Sequence, residues 1–192
     1  MIFAHGQRDG LDFTLIRPFN WVGPGLDSLA TAKEGSSRVA TQFLAHIARG
    51  EDIKLVDGGA QRRCFTHIDD GIDALVRVIR NEGGVASGKI YNIGTPENDL
   101  SIRELAERMI AVGRQHPAYA KNAAKVGIRE VSSGDFYGKG YQDVKTRVPW
   151  VENTKAELGW SPKGTLDDIL KSVFEAYAAE VTAAAELLDN GA

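Results

Sequence analysis

Phe13-Thr14-Leu15-Ile16-Arg17-Pro18-Phe19-Asn20 (FTLIRPFN) is a β-prone run that a proline stops just before a long polar loop. Pro18 has no amide hydrogen to donate, so the strand ends there. The loop runs from Asn20 to about Ser36 and is punctuated by Gly23, Pro24, Gly25 and Gly35. Loops of that length in a compact domain are usually functional or mobile. In open α/β sheets, ligands bind beyond the carboxyl ends of strands, which is where Phe19 and Asn20 stand. An ordinary strand stop accounts for the same residues.

Working outward, helical and extended patterns alternate. From Ser37, the residues Val39, Phe43, Leu44 and Ile47 recur at helical spacing, with Gly50 as the stop. Ile53–Val56 reads as a strand, Asp57-Gly58-Gly59 as a turn, and Arg62 to Ile68 as a second strand forming a hairpin with the first. Asp69 or Asp70 caps a helix carrying Ile72, Leu75, Val76 and Ile79. Lys89–Ile93 is another strand. Ser101-x-x-Glu104 is a capping box, and Leu100 can staple onto Leu105. Gly127–Val131 is a weaker strand candidate, Ser132–Tyr141 a loop, and helices are expected near Glu152–Leu158 and from Thr165 to about Leu188. The opening residues Ile2, Phe3, His5 and Gly6 look like the tail of a helix, and no glycine fingerprint for a dinucleotide precedes them. The expectation is one incomplete domain over residues 1–192.

The chain has 43% hydrophobic and 26% charged residues, the mixture of an ordinary globular protein. Its net charge of −3 argues against a dedicated nucleic-acid binder. Cys64 is the single cysteine, so no intrachain disulfide forms. No apolar run approaches a bilayer span, and no signal-peptide layout opens the chain, so a cytoplasmic protein with no membrane partner is expected.

The segment from Lys54 to Arg63 carries three cations and the Gln61 amide on one hairpin. The planar fork of arginine suits a diphosphate, and strand alternation sends Arg62 and Arg63 to opposite faces. A solvated hairpin surface is the plain alternative. His67-x-Asp69-Asp70 looks like a metal cluster but is more simply a pair of helix-start carboxylates, and no metal is expected. Gly134–Lys139 (GDFYGK) falls short of a phosphate loop, with too few residues between its glycines and no following Ser or Thr. Tyr137, Tyr141 and Arg147 still give that region a composition suited to sugar and phosphate contacts.

Five stretches occur in order: RPFNWVGPGLD, EGSSRVATQ, IKLVDGGAQRRCFTHIDDGIDAL, YNIGTPEND and FYGKGYQDVKTRVP. Together they resemble the C-terminal part of the UDP-glucuronate decarboxylases, a branch of the extended short-chain dehydrogenase/reductase (NAD-dependent epimerase/dehydratase) family. RPFN and the Lys54–Arg63 turn indicate the wider family, while GSSR with YGKGYQDV indicates the decarboxylase branch. The resemblance runs through essentially the whole chain.

It implies an α/β fold: the end of a Rossmann-type sheet plus a small mixed α/β substrate-binding lobe, with the N-terminal NAD-binding half absent. It further implies that Pro18 and Phe19 approach the nicotinamide of NAD and that Asn20 contacts the UDP-sugar. Lys54, Leu55, Val56, Gln61, Arg62 and Arg63 would wrap the uridine diphosphate, Tyr141 would help hold it, and Arg38 is an added anion contact. Arg147 would be the catalytic arginine. The parent reaction would be oxidative decarboxylation of UDP-glucuronate to a UDP-4-keto-pentose, on the route to 4-amino-arabinose-modified lipid A and polymyxin resistance. The tyrosine–lysine pair of the family and the acidic partner of the arginine would precede Met1. A homo-oligomer of the full-length protein is expected, and this stretch alone should be inactive. The rival readings are another nucleotide-sugar epimerase or dehydratase, a redox-neutral UDP-xylose synthase, or a non-catalytic nucleotide-binding module.

Overall fold

The computed structural model describes residues 1–32, 37–138 and 143–190, with the side chains of 185–190 left aside. In chain order the elements are α1 (Ile2–Asp9), β1 (Thr14–Pro18), β2 (Trp21–Val22), α2 (Val39–Arg49), β3 (Ile53–Val56), β4 (Arg62–Cys64), β5 (Thr66–His67), α3 (Ile68–Arg80) and β6 (Lys89–Ile93). They continue as β7 (Asp99–Ser101), α4 (Ile102–Gln115), α5 (Ala120–Ala123), β8 (Ile128–Val131), α6 (Ser133–Tyr137), β9 (Thr146–Arg147), α7 (Glu152–Leu158) and α8 (Leu166–Asn190). The mixed α/β fold with parallel strand pairs expected from the sequence is present. The chain divides into two compact units, each assembled from three separate stretches.

The first unit holds Met1–Trp21, Cys64–Asp99 and Val148–Leu166. Its β1 and β6 pair in parallel, with Thr14 opposite Lys89 and Pro18 opposite Ile93. Ala74, Ala86, Tyr91, Ile93, Val151, Leu158 and Trp160 form its core. β1 is exposed over Ile16, Arg17 and Pro18. The helix α3 does not bury the face its periodicity suggests. Ile72 is 48% and Ile79 80% exposed, whereas Gly71 and Ala74 are buried. The small-residue face wins because the Trp21 ring lies against Gly71, where a Cβ would come within 2.8 Å of it.

The α3 cap also differs from expectation. His67 is the N-cap, its Nδ1 accepting from the Asp69 amide at 3.2 Å. Asp70 instead accepts from the Lys163 and Gly164 amides at 3.0 and 2.8 Å, tying down a distant loop. The helix α1 runs past Gly6 to Asp9 and ends at Gly10, so the expected stop at Gly6 is four residues early.

The second unit holds Val22–Arg63, Leu100–Arg147 and Asp167–Ala192. Its interior is built from α2, α4, α5, β3 and α8, with Phe43, Leu44, Ile47, Leu55, Leu105 and Met109 buried. Tyr119 and Phe174 meet edge to face at 4.9 Å. Ser101 and Glu104 form the expected capping box on α4. α6 occupies part of the span expected to be a loop, started by Ser132, whose hydroxyl accepts from the Asp135 amide.

The hairpin expected between β3 and the strand after it is not formed. β3 pairs in parallel with β8, Ile53 opposite Ile128, and β4 pairs in parallel with β9. Asp57, Gly58 and Gly59 all take positive φ, and this short helical turn redirects the chain instead of doubling it back. The turn is docked by Arg103, whose Nε donates to the Gly58 carbonyl, while the Ile102 amide donates to the Gln61 carbonyl. Long-range partners on α4 thus outweigh the local hairpin signal.

Candidate functional site

The sequence-singled residues fall into two groups, one in each unit. In the first unit, Pro18 closes β1 and is exposed. The Phe19 amide donates to the Ile93 carbonyl at 3.0 Å, and its own carbonyl accepts from the Thr66 hydroxyl at 2.9 Å. Asn20 follows with φ of 42°, a left-handed conformation that Asn tolerates better than most residues. Its side-chain amide donates to the Cys64 carbonyl at 3.1 Å. Thr66 joins the group twice, since its Oγ1 also accepts from the Thr95 amide at 3.1 Å. The main-chain groups of Phe19 are occupied in this way, and its side chain is half-buried.

Gly94 makes this arrangement possible. A Cβ there would stand 2.8 Å from the Phe19 Cβ and 2.7 Å from a Pro149 ring carbon. Neither Thr66 nor Gly94 was singled out from the sequence, although both lie inside the CFTHIDD and YNIGTPEND motifs.

In the second unit, Lys54 is exposed on β3, while Leu55 is fully buried beside it. The Leu55 side chain is therefore core. Val56 is half-buried, its carbonyl accepting from the Gln61 side-chain amide at 3.4 Å. Arg62 and Arg63 diverge sharply. Arg62 is partly exposed and lies 3.3 Å from Glu104. Arg63 is buried, its guanidinium 2.7 Å from Asp143 and donating to the Val144 and Arg62 carbonyls at 2.7 and 2.8 Å.

Arg147 lies opposite Arg63 in the β4–β9 register and is exposed, with no ion pair to any described residue. Arg38 starts α2 and is held by Asp27, also bonding the Leu26 carbonyl. Asp27 is shared with the Thr41 hydroxyl at 2.6 Å. Arg38 thus already has an anionic partner. Tyr141 lies outside the described residues.

Glu104 is held below the usual carboxylate range, first by the Ser101 amide, then by the Ser101 hydroxyl, with Arg62 adding to the effect. A cavity of about 620 Å³ in the second unit is lined by Leu29, Ala45, Arg49, Lys121 and Lys125 among others, and contains none of the sequence-singled residues. Among the described residues, no group of three His, Cys, Asp or Glu side chains could hold a metal ion, and no helix is long and apolar enough to cross a membrane.

Residues 1–94 match the family model described as the NAD dependent epimerase/dehydratase family. The PbgP3 protein from Burkholderia pseudomallei is 54% identical with a TM-score of 0.81, over 95% of this chain and 51% of that one. UDP-glucose 4-epimerase from Thermotoga maritima, solved with UDP-glucose, matches in fold at TM-score 0.70 and 21% identity, over 94% of this chain and 50% of that one. So does dTDP-glucose 4,6-dehydratase from Bacillus anthracis, solved with NAD, at TM-score 0.69 and 19% identity, over 92% and 48%. The chain spans about half the length of these solved relatives. In fold throughout, and in sequence over residues 1–94, it matches the NAD dependent epimerase/dehydratase family.

Proposed function

We propose that the chain is the UDP-sugar-binding part of an NAD-dependent nucleotide-sugar enzyme that oxidatively decarboxylates UDP-glucuronate to a UDP-4-keto-pentose. The pathway would be 4-amino-arabinose modification of lipid A, the basis of polymyxin resistance. The observation that carries the reading is Arg147, an exposed guanidinium without an ionic partner among the described residues, on the strand beside Arg62 and Arg63. Its place after YGKGYQDV is the place of the arginine in the decarboxylase branch.

Exposed Pro18 and the free Phe19 side chain fit contact with the flat nicotinamide, since the Phe19 main chain is already bonded. Bound NAD would supply the hydride acceptor for oxidation at the sugar C4. The 4-keto acid then loses CO₂ as the C5–carboxyl bond breaks and its electron pair passes to the ketone. Arg147 stabilises the enolate oxygen so formed, and C5 then takes a proton from solvent water to give the 4-keto-pentose. A guanidinium stays protonated at working pH, so charge stabilisation suits it better than proton donation. Lys54 and Arg62, both accessible, would face the diphosphate, and Asn20 the sugar.

The test uses an enzyme of the relatives' full length with these residues, measuring NADH and CO₂ release from UDP-glucuronate. Arg147→Ala should lower kcat by about 10²–10³-fold with UDP affinity kept, and Arg147→Lys should rescue poorly because an ammonium lacks the planar fork. Near-normal kcat with collapsed UDP affinity would make Arg147 a binding residue. Product without net NADH would point to a redox-neutral enzyme.

A further inference from the structure

We propose that Arg103 is a positioning residue for the nucleotide diphosphate, holding the turn between Lys54 and Arg62 in the conformation that presents those two cations to the ligand; this rests on the reading of that segment as the UDP contact. The turn is not one the chain adopts readily by itself. Asp57, Gly58 and Gly59 take φ of 47°, 73° and 70° in succession. Asp57 is the costly member, because a residue with a Cβ is crowded in that left-handed region. Backbone of this kind persists only where its surroundings over-determine it.

The surroundings are the first turn of α4 and the strand β8. Arg103 Nε donates to the Gly58 carbonyl at 3.0 Å, and its Nη2 pairs with the Glu130 carboxylate. Glu130 stands on β8 opposite Leu55, the neighbour of Lys54 on β3. One guanidinium therefore ties the middle of the turn to the strand that aligns β3. Gly59 packs on the same residue, since a Cβ there would lie 3.0 Å from the Arg103 nitrogen and 3.1 Å from the Leu55 side chain. On either side of it, the Ile102 amide donates to the Gln61 carbonyl at 2.9 Å and Glu104 meets Arg62 at 3.3 Å. Asp57 accepts from the Ser133 amide at 2.8 Å, at the start of α6. Neither bond of Arg103 involves β9, where Arg147 stands. Loosening the turn should therefore cost binding and spare the chemical step. Lysine cannot stand in for Arg103, because one ammonium lacks the planar fork that reaches Gly58 and Glu130 together.

The experiment compares Arg103→Ala, Arg103→Lys, Glu130→Gln and Gly59→Ala with the unaltered enzyme, in a protein of the relatives' full length with these residues. It reads UDP affinity by calorimetry, kcat and KM for UDP-glucuronate, and hydrogen exchange of the Ile102 and Ser133 amides, which bond to the turn. A site whose competent conformer is only fractionally populated loses apparent affinity by that fraction. Arg103→Ala should weaken UDP binding on the order of tenfold, raise KM in step and keep kcat, the pattern of lost uniform binding. Both amides should exchange faster. Arg103→Lys should recover only part of the affinity. Glu130→Gln keeps an acceptor for Arg103 and should lose less than Arg103→Ala. Gly59→Ala disturbs the same docking from the side of the turn and should repeat the affinity loss with Arg103 present. Lower stability with UDP affinity and KM unchanged in Arg103→Ala would overturn the proposal and make Arg103 a purely structural residue. A fall in kcat with affinity kept would overturn it too. Should Arg103→Ala fold poorly, Arg103→Lys and Glu130→Gln carry the test, and unchanged UDP affinity in both would sink the idea. If the unaltered enzyme binds UDP without turning over UDP-glucuronate, the decarboxylase reading alone fails and the affinities still judge Arg103. If it binds no UDP, the reading of the turn fails and the proposal with it.

Discussion

The two strand ends that carry the candidate residues are held by different chemistry. At Phe19–Asn20, every named contact is a neutral hydrogen bond to backbone, made through Thr66, Cys64 and Ile93. At Arg62–Arg63, the named side-chain contacts include carboxylates, Glu104 and Asp143. Neutral, buried bonds fix one geometry and are indifferent to salt and pH. Charged pairs hold a geometry that depends on both, and they can be exchanged for an incoming anion. The first group is therefore held by contacts insensitive to charge, and the second by contacts that depend on it.

The largest effect should come from removing the hydroxyl at the centre of the neutral group. Thr66 is fully buried, and its Oγ1 serves both the Phe19 carbonyl and the Thr95 amide. Thr66→Val keeps the shape and strips both partners, at about 1–3 kcal/mol for each group left unpaired. All three tryptophans, Trp21, Trp150 and Trp160, lie in the first unit, so tryptophan fluorescence during denaturation reads its stability directly. A loss well under 1 kcal/mol would mean that the strand end is fixed by packing and not by this hydroxyl.

A smaller loss is expected from packing at the same place. Gly94→Ala puts a methyl group against the Phe19 Cβ and the Pro149 ring, both on connected backbone. Overpacking of this kind typically costs about 1–3 kcal/mol. Phe19 should shift as Pro149 and the β1 end yield, which NMR of the Phe19 ring would detect. An unshifted ring would show that Pro149 alone gives way.

How much of this the sequence disclosed depended on the range of the signal. Lys89–Ile93, the α2 stop at Gly50 and the Ser101–Glu104 box form as read, because each is encoded within a few residues. The hairpin reading failed because β3 and β4 take partners far along the chain, β8 and β9. The buried face of α3 was misread because hydrophobicity favoured Ile72 and Ile79, while the fit of Trp21 required the smallness of Gly71. Alternation did separate Arg62 from Arg63 correctly, one accessible and one buried. That Asp143 would meet Arg63 had no local trace, since the two stand 80 positions apart.

The smallest effect sharpens the contrast through pH. Glu104 completes the α4 capping box and faces Arg62, and its carboxyl is held below the usual range chiefly by the Ser101 amide. A carboxyl whose value falls on folding binds protons less tightly in the native state. Its stabilising contribution is therefore fully present above the unfolded value, about 4.3 for Glu, and is lost as pH falls through the lower native value. Ser101→Ala should cost about 1 kcal/mol near neutrality, with Glu104→Gln costing less. The Glu104→Gln deficit should shrink on acidification below that unfolded value, whereas the Thr66→Val deficit should not change, because no titrating group takes part in its bonds. Amide exchange in the first turn of α4 for Ser101→Ala and Glu104→Gln, and tryptophan fluorescence for Thr66→Val, each followed from neutral to acid pH, separate the two behaviours. A Glu104→Gln deficit that persists undiminished in acid would show that the side chain acts there through packing, and that charge does not govern this end of the second unit.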